Sequence, residues 1–187
     1  MQYIKGIEAY QNDKSSAITL GKFDGLHRGH EILISRVVEH QATDGVVGIV
    51  VAFDMSSLGE QLMTNEEKAE RLDGRIDYFI DCPFDESISS MAAEVFIEEI
   101  LVKHFHVKYI IVGTDFRFGY QKQGDYHMLQ AFSQKYNYQV EVIEKTCYQG
   151  REISSSYIRE ELKKGNRALA NHLLGYEYHS KDRMGEN

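Results

Sequence analysis

The sequence predicts an α/β fold with a doubly wound, mainly parallel sheet, and three observations support this prediction. Short apolar runs have the length of strands, amphipathic segments of helical period lie between them, and the two kinds of segment alternate through most of the 187 residues. Runs that lack polar alternation indicate strands covered on both faces, as parallel strands are. The length suits one domain.

The apolar runs predict five strands, at residues 18–20, 46–53, 76–80, 109–112 and 138–143. Helical patterns predict helices at residues 30–40, 65–72, 91–105 and 126–136. In the first of these helices, Leu33, Ile34, Val37 and Val38 recur along one side, which we expect to pack on the sheet.

Capping signals predict two more helices near the end of the chain. Ser154, Ser155 and Ser156 can cap a helix from about residue 157 to 164, which Gly165 is placed to end. Asn166 and Gly175 can bracket a short second helix. We expect residues 1–178 to form the domain and residues 179–187 a flexible tail.

Composition excludes several classes of function. Lys and Arg number 21 against 29 Asp and Glu, a formal net charge of −8, so no basic field exists to attract nucleic acid. A small anionic ligand stays possible at helix N-termini. Cys82 and Cys147 are far apart, so we expect buried thiols and neither a disulfide framework nor a zinc site. Without an apolar leader or a long apolar run, we expect no membrane contact and a cytoplasmic location.

The loop after the first predicted strand holds the strongest functional signal, a histidine pair. His27 and His30 stand three residues apart where a strand meets a helix, and Gly21, Gly25 and Gly29 flank them. Backbone N–H groups at a helix N-terminus bind phosphate, and glycines let the ligand approach closely. Both rings can donate to phosphate oxygens as pyrophosphate leaves. The alternatives are a structural turn and a zinc site, for which a third ligand is missing.

Two further loops carry candidate residues. The loop at 113–119 offers Asp115, Phe116, Arg117 and Phe118, whose rings and polar groups suit a planar ligand, although either ring could instead belong to the core. At residues 153–159, a helix N-terminus and serine hydroxyls can hold phosphate beside Arg159, and the alternative is an ordinary cap. We assign no role to the charged residues of the helix at 65–72, which are typical of a solvated face: Glu66, Glu67, Lys68, Glu70 and Arg71.

Together these loops resemble the FMN adenylyltransferase module of bacterial bifunctional riboflavin kinase/FAD synthetases, in the cytidylyltransferase-like nucleotidyltransferase superfamily. The resemblance covers roughly residues 17–178 and is carried by GKFDGLHRGH from Gly21, VGTDFRFG from Val112, ISSSYIR from Ile153 and ANHLLGYEY from Ala170. It implies a Rossmann-like nucleotidyltransferase fold. It also implies the transfer of AMP from ATP to FMN, with Mg²⁺, giving FAD and pyrophosphate.

The resemblance also implies roles for matching residues. His27, His30 and Arg159 are the expected catalytic residues, and Asp115, Phe116, Arg117 and Phe118 are expected at the flavin. The expected nucleotide-binding residues are Gly21, Phe23, Asp24, Gly25, Gly29, Ser155 and Ser156. No residue is expected to bind metal directly.

Two departures from the family leave alternatives open. Asp54, Met55, Ser56 and Ser57 replace the family's Pro-His-Pro-like stretch, and the 187 residues do not include the kinase module. We therefore expect a standalone enzyme or an excised domain, with an unknown oligomeric state. The alternative functions are a related transferase with another phosphorylated acceptor and an inactive regulator that binds nucleotide or flavin.

Overall fold

The central sheet has six parallel strands. The computed structural model describes residues 1–54 and 60–179. The ten strands of those residues are β1 (Gln2–Lys5), β2 (Ser16–Gly21), β3 (Val47–Asp54), β4 (Tyr78–Pro83), β5 (Val107–Gly113), β6 (Arg117–Phe118), β7 (Gly124–Asp125), β8 (Gln139–Ile143), β9 (Cys147–Tyr148) and β10 (Arg151–Glu152). The strands of the central sheet lie in the order β1-β4-β3-β2-β5-β8. Strands β6 and β7 form one antiparallel pair, and β9 and β10 form another.

Helices connect the strands of the sheet. They are α1 (Arg28–Asp44), α2 (Asn65–Leu72), α3 (Glu86–Ser89), α4 (Ala93–Val95), a π-helix (Phe96–His104) that continues α4, α5 (Tyr126–Tyr136), α6 (Ser155–Lys163) and α7 (Arg167–Leu174). Short 3₁₀ turns lie at Ile7–Ala9 and Tyr120–Lys122.

Both faces of the sheet are buried, and alternate residues of each strand serve opposite faces. Ile18, Ile49 and Ile110 belong to one apolar cluster, with the π-helix and α5. Their neighbours Ala17, Val50 and Ile111 belong to a second cluster, on which α1 and α2 pack. Two-sided burial explains why the strand sequences read as continuous apolar runs.

The predicted doubly wound, parallel sheet is confirmed. All five predicted strands are present, although the third begins at Tyr78 and ends at Pro83. The helices at 65–72 and 126–136 have the predicted bounds, and α1 is longer than predicted at both ends. Its predicted apolar side packs on the sheet: Ile34 and Val37 are buried, and Leu33 and Val38 border the same cluster.

Two features of the sheet and its helices were not predicted. Strand β1 is a four-residue edge strand that pairs with β4, and a run this short carries little periodic signal. The helix predicted at 91–105 becomes a π-helix after Val95, closed by a hydrogen bond from the Phe105 amide to the Ile100 carbonyl. The hydrophobic period does not separate α from π hydrogen bonding, so the sequence could not indicate this change.

The C-terminal helices α6 and α7 form a third apolar cluster beside the sheet, which includes Leu62, Ile158, Leu173 and Leu174. The side chain of Ser154 caps α6 as predicted, by accepting from the Tyr157 amide. Asn166 and Gly175 cap the two ends of α7, also as predicted. This cluster packs next to the loop that follows β2.

The two cysteines lie in different environments. Cys82 is buried as expected, but Cys147 is exposed, because it lies in the small β9–β10 hairpin at the surface. Residues 55–59 and 180–187 lie outside the described residues, and with them most of the segment at 54–57 and all but one residue of the predicted tail. No helix of the described residues has the length and apolar character that a membrane crossing requires.

Candidate active site

The histidine loop lies where the strand order of the sheet reverses. Strands β2 and β5 are neighbours, and the chain continues outward from them in opposite directions, through β3 and β4 on one side and β8 on the other. Ligands of open α/β sheets bind beyond the carboxyl ends of the strands at such a point. The loops after β2 and β5 therefore lie at the predicted location.

The loop between β2 and α1 has an unusual backbone. Phe23 and Leu26 have φ angles of 48° and 39°, and Gly25 has a φ angle of 83°. Left-handed backbone is uncommon for bulky residues and persists only where the surroundings hold it. Both Phe23 and Leu26 are buried, so apolar packing fixes this conformation. The loop ends at His27, whose backbone is the N-cap of α1.

The histidine rings stack on each other. The ring centroids of His27 and His30 are 3.6 Å apart at an interplanar angle of 19°, and the ring of Phe23 lies 5.1 Å from that of His30. The Nδ1 atoms of both histidines are buried and have no hydrogen-bond partner within residues 1–54 and 60–179. Buried polar atoms are normally paired, so these two nitrogens keep a hydrogen-bonding capacity that no described residue uses.

Burial keeps both histidines neutral. It lowers the pKa of His27 to about 4, although the carboxylate of Asp115 opposes this shift. Burial also lowers the pKa of His30 well below its ordinary value, and the neighbouring His27 and Lys68 lower it further. A neutral imidazole has one N–H group and one acceptor nitrogen. Each ring can therefore offer one hydrogen bond to an anion without carrying a charge.

Asp24 connects the histidine loop to the start of α6. One carboxylate oxygen accepts from the Leu62 amide at 2.7 Å, and the other accepts from Arg159 Nη1 at 2.5 Å. The hydroxyl of Ser155 donates to the Asp24 carbonyl at 2.8 Å. The second guanidinium nitrogen of Arg159 donates to Ser156 Oγ at 3.3 Å. The structure thus brings the predicted residues of the first and third loops together.

Gly25 and Gly29 lie at close approaches in this assembly. A Cβ atom on Gly25 would lie 2.8 Å from Leu62 Cδ1 and 3.3 Å from Leu174 Cδ2. On Gly29 it would lie 3.2 Å from Cε1 of His27 and 4.0 Å from Thr146 Oγ1. Gly21 ends β2 and has more room, with the Phe23 ring 3.4 Å away. Gly25 therefore needs the small residue that the sequence pattern indicated, whereas a Cβ atom on Gly29 would require the His27 ring to shift by a few tenths of an ångström.

The predicted residues of the second loop point in different directions. The carboxylate of Asp115 is exposed and pairs with Lys145 at 3.2 Å. Arg117 is exposed and donates to the carbonyl of Phe116. The ring of Phe118 is buried and lies 5.5 Å from that of Phe96 in the core, while Phe116 is half-buried and stacks on Phe118. Of the two rings, Phe116 is the more accessible to a ligand.

The expectation that the charged residues of α2 form a solvated face is wrong for Lys68. Its side chain is 2% exposed, and its ammonium group donates to the backbone carbonyl of Lys22 in the histidine loop. Glu66, Glu70 and Arg71 are exposed, as expected. Lys68 cannot be distinguished in the sequence from the charged residues around it, because only the fold shows which side of α2 faces inward.

Sequence reasoning also missed other neighbours of the loops. Lys145 bridges Asp115 and Glu152, Thr146 lies beside Gly29, and the hydroxyl of Tyr176 donates to the Gly25 carbonyl at 2.6 Å. All three follow β8 in the chain and reach the site only through tertiary packing. No motif marks Lys145 or Thr146, whereas Tyr176 lies in the ANHLLGYEY segment, to which no site role was assigned.

The family of the chain follows from comparison with known proteins. The sequence model of the FAD synthetase family matches residues 9–157, a range that includes the histidine loop, the loop after β5 and the start of α6. The chain belongs to the FAD synthetase family. The two histidines and the serines at the start of α6 lie within the matched range, and Arg159 lies two residues beyond it.

Curated relatives extend the similarity beyond that range. The chain is 34% identical over 188 residues to a bifunctional riboflavin kinase/FMN adenylyltransferase of Haemophilus influenzae, covering 95% of this chain and 61% of the relative. It is 33% identical over 190 residues to the protein of the same name in Escherichia coli K12, covering 95% and 60%. The chain thus spans about three fifths of the length of these relatives.

A solved structure supports the fold alone. The crystal structure of a macrolide-efflux protein from Streptococcus pneumoniae superposes with a TM-score of 0.81 at 21% identity, covering 94% of this chain and 62% of that one. With its six parallel strands and flanking helices, this FAD synthetase family member has the Rossmann-like α/β fold that the resemblance implied.

Proposed function

We propose that this chain is an FMN adenylyltransferase, which transfers AMP from ATP to FMN and gives FAD and pyrophosphate. One observation carries the proposal: two buried, neutral histidines are stacked at the N-terminus of α1, at the strand-order reversal of a FAD synthetase family chain. The names of the curated relatives support the same acceptor.

The reaction we propose is a direct displacement. A phosphate oxygen of FMN attacks the α-phosphorus of ATP, a new P–O bond forms, and the bond from the α-phosphorus to the bridging oxygen breaks. The electron pair of that bond leaves with pyrophosphate, so negative charge grows on the leaving group. Hydrogen-bond donors placed where charge develops stabilise such a transition state.

The histidines and α1 supply those donors in this proposal. Neutral His27 and His30 each offer one N–H group, and the free backbone amides of the first turn of α1 add partial positive charge. Arg159 lies at the start of α6, where Asp24 and Ser156 hold its guanidinium. In that position its remaining N–H groups can donate to the phosphates, beside Ser155 and Ser156, while Asp24 balances part of its charge.

We assign the remaining predicted residues to the two ligands. The nucleotide pocket is shaped by Gly21, Phe23, Asp24, Gly25 and Gly29. The absence of side chains at Gly25 and Gly29 lets neighbouring groups pack close to the backbone of the loop. Asp115, Phe116 and Arg117 line the flavin side, with the half-buried Phe116 ring as the stacking surface. Phe118 supports Phe116 from within the core.

We propose that Mg²⁺ arrives with ATP. Within residues 1–54 and 60–179 no group of three or more His, Cys, Asp or Glu side chains is arranged to hold a metal ion. Mg²⁺ keeps several waters and often binds through substrate phosphates, with few protein ligands. The ion would neutralise phosphate charge, while the residues of this chain position the phosphates.

The test is chromatographic detection of FAD after the protein is mixed with FMN, ATP and Mg²⁺. Riboflavin in place of FMN and CTP in place of ATP are the controls. The proposal is supported if FAD forms from FMN and ATP and does not form in either control. ATP binding without FAD formation would overturn it and would favour another phosphorylated acceptor or a regulatory role, with the segment at 54–57 as the first place to examine.

A further inference from the structure

Lys68 is the most deeply buried cation of the described residues outside the loops discussed above. Its side chain is 2% exposed, and its Nζ atom donates to Asn65 Oδ1 at 2.7 Å and to the Lys22 carbonyl at 3.1 Å. Asn65 in turn donates to Asp81 Oδ1 at 2.6 Å. This network runs from the histidine loop through α2 to strand β4.

Packing alone does not explain a lysine at this position. Burying an ammonium group costs roughly several kcal/mol of folding free energy. An apolar side chain of the same length would fill the space without that cost. Burial lowers the pKa of Lys68, but the charges around it oppose the shift: Asp24, Asp54, Asp81 and Glu66. Those carboxylates favour the charged form of Lys68, and one of its N–H groups donates to the histidine loop while another donates to Asn65.

The hydrogen bond to Lys22 acts on the strained part of the histidine loop. The Lys22 carbonyl belongs to the peptide that leads into Phe23, whose φ angle is 48°. A bulky residue stays in the left-handed region only where its surroundings hold it. The Phe23 ring lies 5.1 Å from His30, which stacks on His27 at 3.6 Å. A contiguous path therefore joins Lys68 to the histidine pair.

We propose that Lys68 is a positioning residue of the active site. It fixes the Lys22–Phe23 peptide by hydrogen bonding and so sets the position of the His27–His30 stack. This inference rests on the proposed function. It assigns Lys68 no contact with either substrate. Because a small misplacement of catalytic groups costs up to about 10²-fold in rate, the effect belongs in kcat.

The principal test compares Lys68→Met with Tyr3→Phe. Lys68→Met keeps an unbranched side chain and removes the donors, whereas Tyr3→Phe removes only the hydrogen bond to Asp81 Oδ2 on the far side of the network. We expect Lys68→Met to lower kcat for FAD formation about 10- to 100-fold, with the KM for FMN changed less than about threefold. Tyr3→Phe is expected to keep the wild-type kcat at a temperature where all the proteins are folded.

A readout without turnover separates this inference from the proposed function. In NMR of the free protein, the NOE signals between the Phe23 ring and the imidazoles of His30 and His27 are expected to change in Lys68→Met and to stay the same in Tyr3→Phe. NOE signals report distance, whereas imidazole chemical shifts also respond to loss of the Lys68 charge near His30. If the wild type makes no FAD, the proposed function fails, and this comparison alone decides the role of Lys68.

Two results would overturn the inference: unchanged NOE signals between these rings in Lys68→Met, or a kcat within about threefold of the wild type. If Lys68→Met does not fold, Asn65→Ala takes its place. It removes the amide that orients the ammonium group while α2 keeps its cap at Thr64. The same NOE changes and a smaller fall in kcat are then expected, and their absence would overturn the inference.

Discussion

At the residue scale, burial decides what the histidine pair can do. An exposed histidine is partly charged near neutral pH, whereas burial keeps the pKa of His27 at about 4 and that of His30 well below its ordinary value. Neutral rings do not compete with Mg²⁺ for phosphate charge, and each keeps one directed N–H group. The sequence spacing shows that two histidines are close, but the fold determines their charge.

Removal of the His30 ring tests the role of the histidine pair as hydrogen-bond donors. We expect His30→Ala to lower kcat about 10²- to 10³-fold, because one donor to the developing charge is lost. Pyrophosphate release from ATP in the presence of FMN measures the effect, and circular dichroism checks that the variant folds. His104→Ala is the matched control, since its ring contacts the Ile7 carbonyl far from this loop. A kcat for His30→Ala equal to that of the control would contradict the assignment.

At the scale of elements, an ionic cluster fastens α1 to β8. His40 on α1 hydrogen-bonds to Asp44 at 2.9 Å and to Glu141 on β8 at 2.5 Å, and its ring stacks on Tyr109 at 3.8 Å. Arg36 also donates to both oxygens of Glu141. Burial lowers the pKa of His40, but the hydrogen bonds to the two carboxylates outweigh it, so the pKa lies above its ordinary value.

This cluster predicts that the difference in stability between the wild type and a variant without the His40 imidazole depends on pH. A raised pKa in the folded state means that protonated His40 stabilises the fold below its unfolded pKa of about 6.5, and that this contribution is lost as the pH rises through the folded value. We expect His40→Phe, which keeps a stacking ring, to lower the free energy of unfolding by about 1 kcal/mol at about pH 6 and by less above the folded pKa.

Urea unfolding of both proteins across this pH range measures the difference. The buried His27 titrates in the wild type and in His40→Phe alike, so its effect cancels in the comparison. A difference that stays constant with pH would show that the ring of His40 acts by packing and that its charge contributes nothing.

At the scale of the whole molecule, the C-terminal cluster of α6 and α7 meets the sheet at the histidine loop. Leu62 and Leu174 press against Gly25, Tyr176 donates to its carbonyl, and Ser155 donates to the carbonyl of Asp24. The last helices are therefore part of the structure that shapes the loop, although they lie more than a hundred residues from it in the chain.

Substitution of Gly25 tests this contact. Gly25→Ala places a Cβ atom 2.8 Å from Leu62 at a φ angle of 83°, whereas Gly74→Ala has a similar φ angle of 72° with no atom within 4 Å. Left-handed backbone costs an alanine about 1–2 kcal/mol in both variants. We expect Gly25→Ala to lose more stability than Gly74→Ala and to lose at least about tenfold in kcat, because the loop moves. Equal losses in thermal melting and in FAD formation would contradict the proposed packing.

Much of the architecture was predictable because its signals are local. Two-sided burial makes the strand sequences apolar, and caps such as Ser154, Asn166 and Gly175 mark helix ends through their own backbone. The histidine motif was equally visible, since a strand, glycines and a helix start lie within ten residues. Strand β1 and the π-helix had no such signal. Strand β1 is too short to show a period, and the hydrophobic period of a π-helix does not distinguish it from an α-helix.

The α/β class, the parallel sheet, the family and the three loops that carry the predicted site residues follow from the amino-acid sequence. Folding adds that Lys68 is buried against the histidine loop, that Phe118 belongs to the core, and that Asp24 and Arg159 pair across 135 residues of chain. The physical reason is distance along the chain. Local patterns indicate strands, helices and their caps, whereas the burial of a single side chain, the partner of a charge and the environment that sets a pKa come from segments brought together by folding.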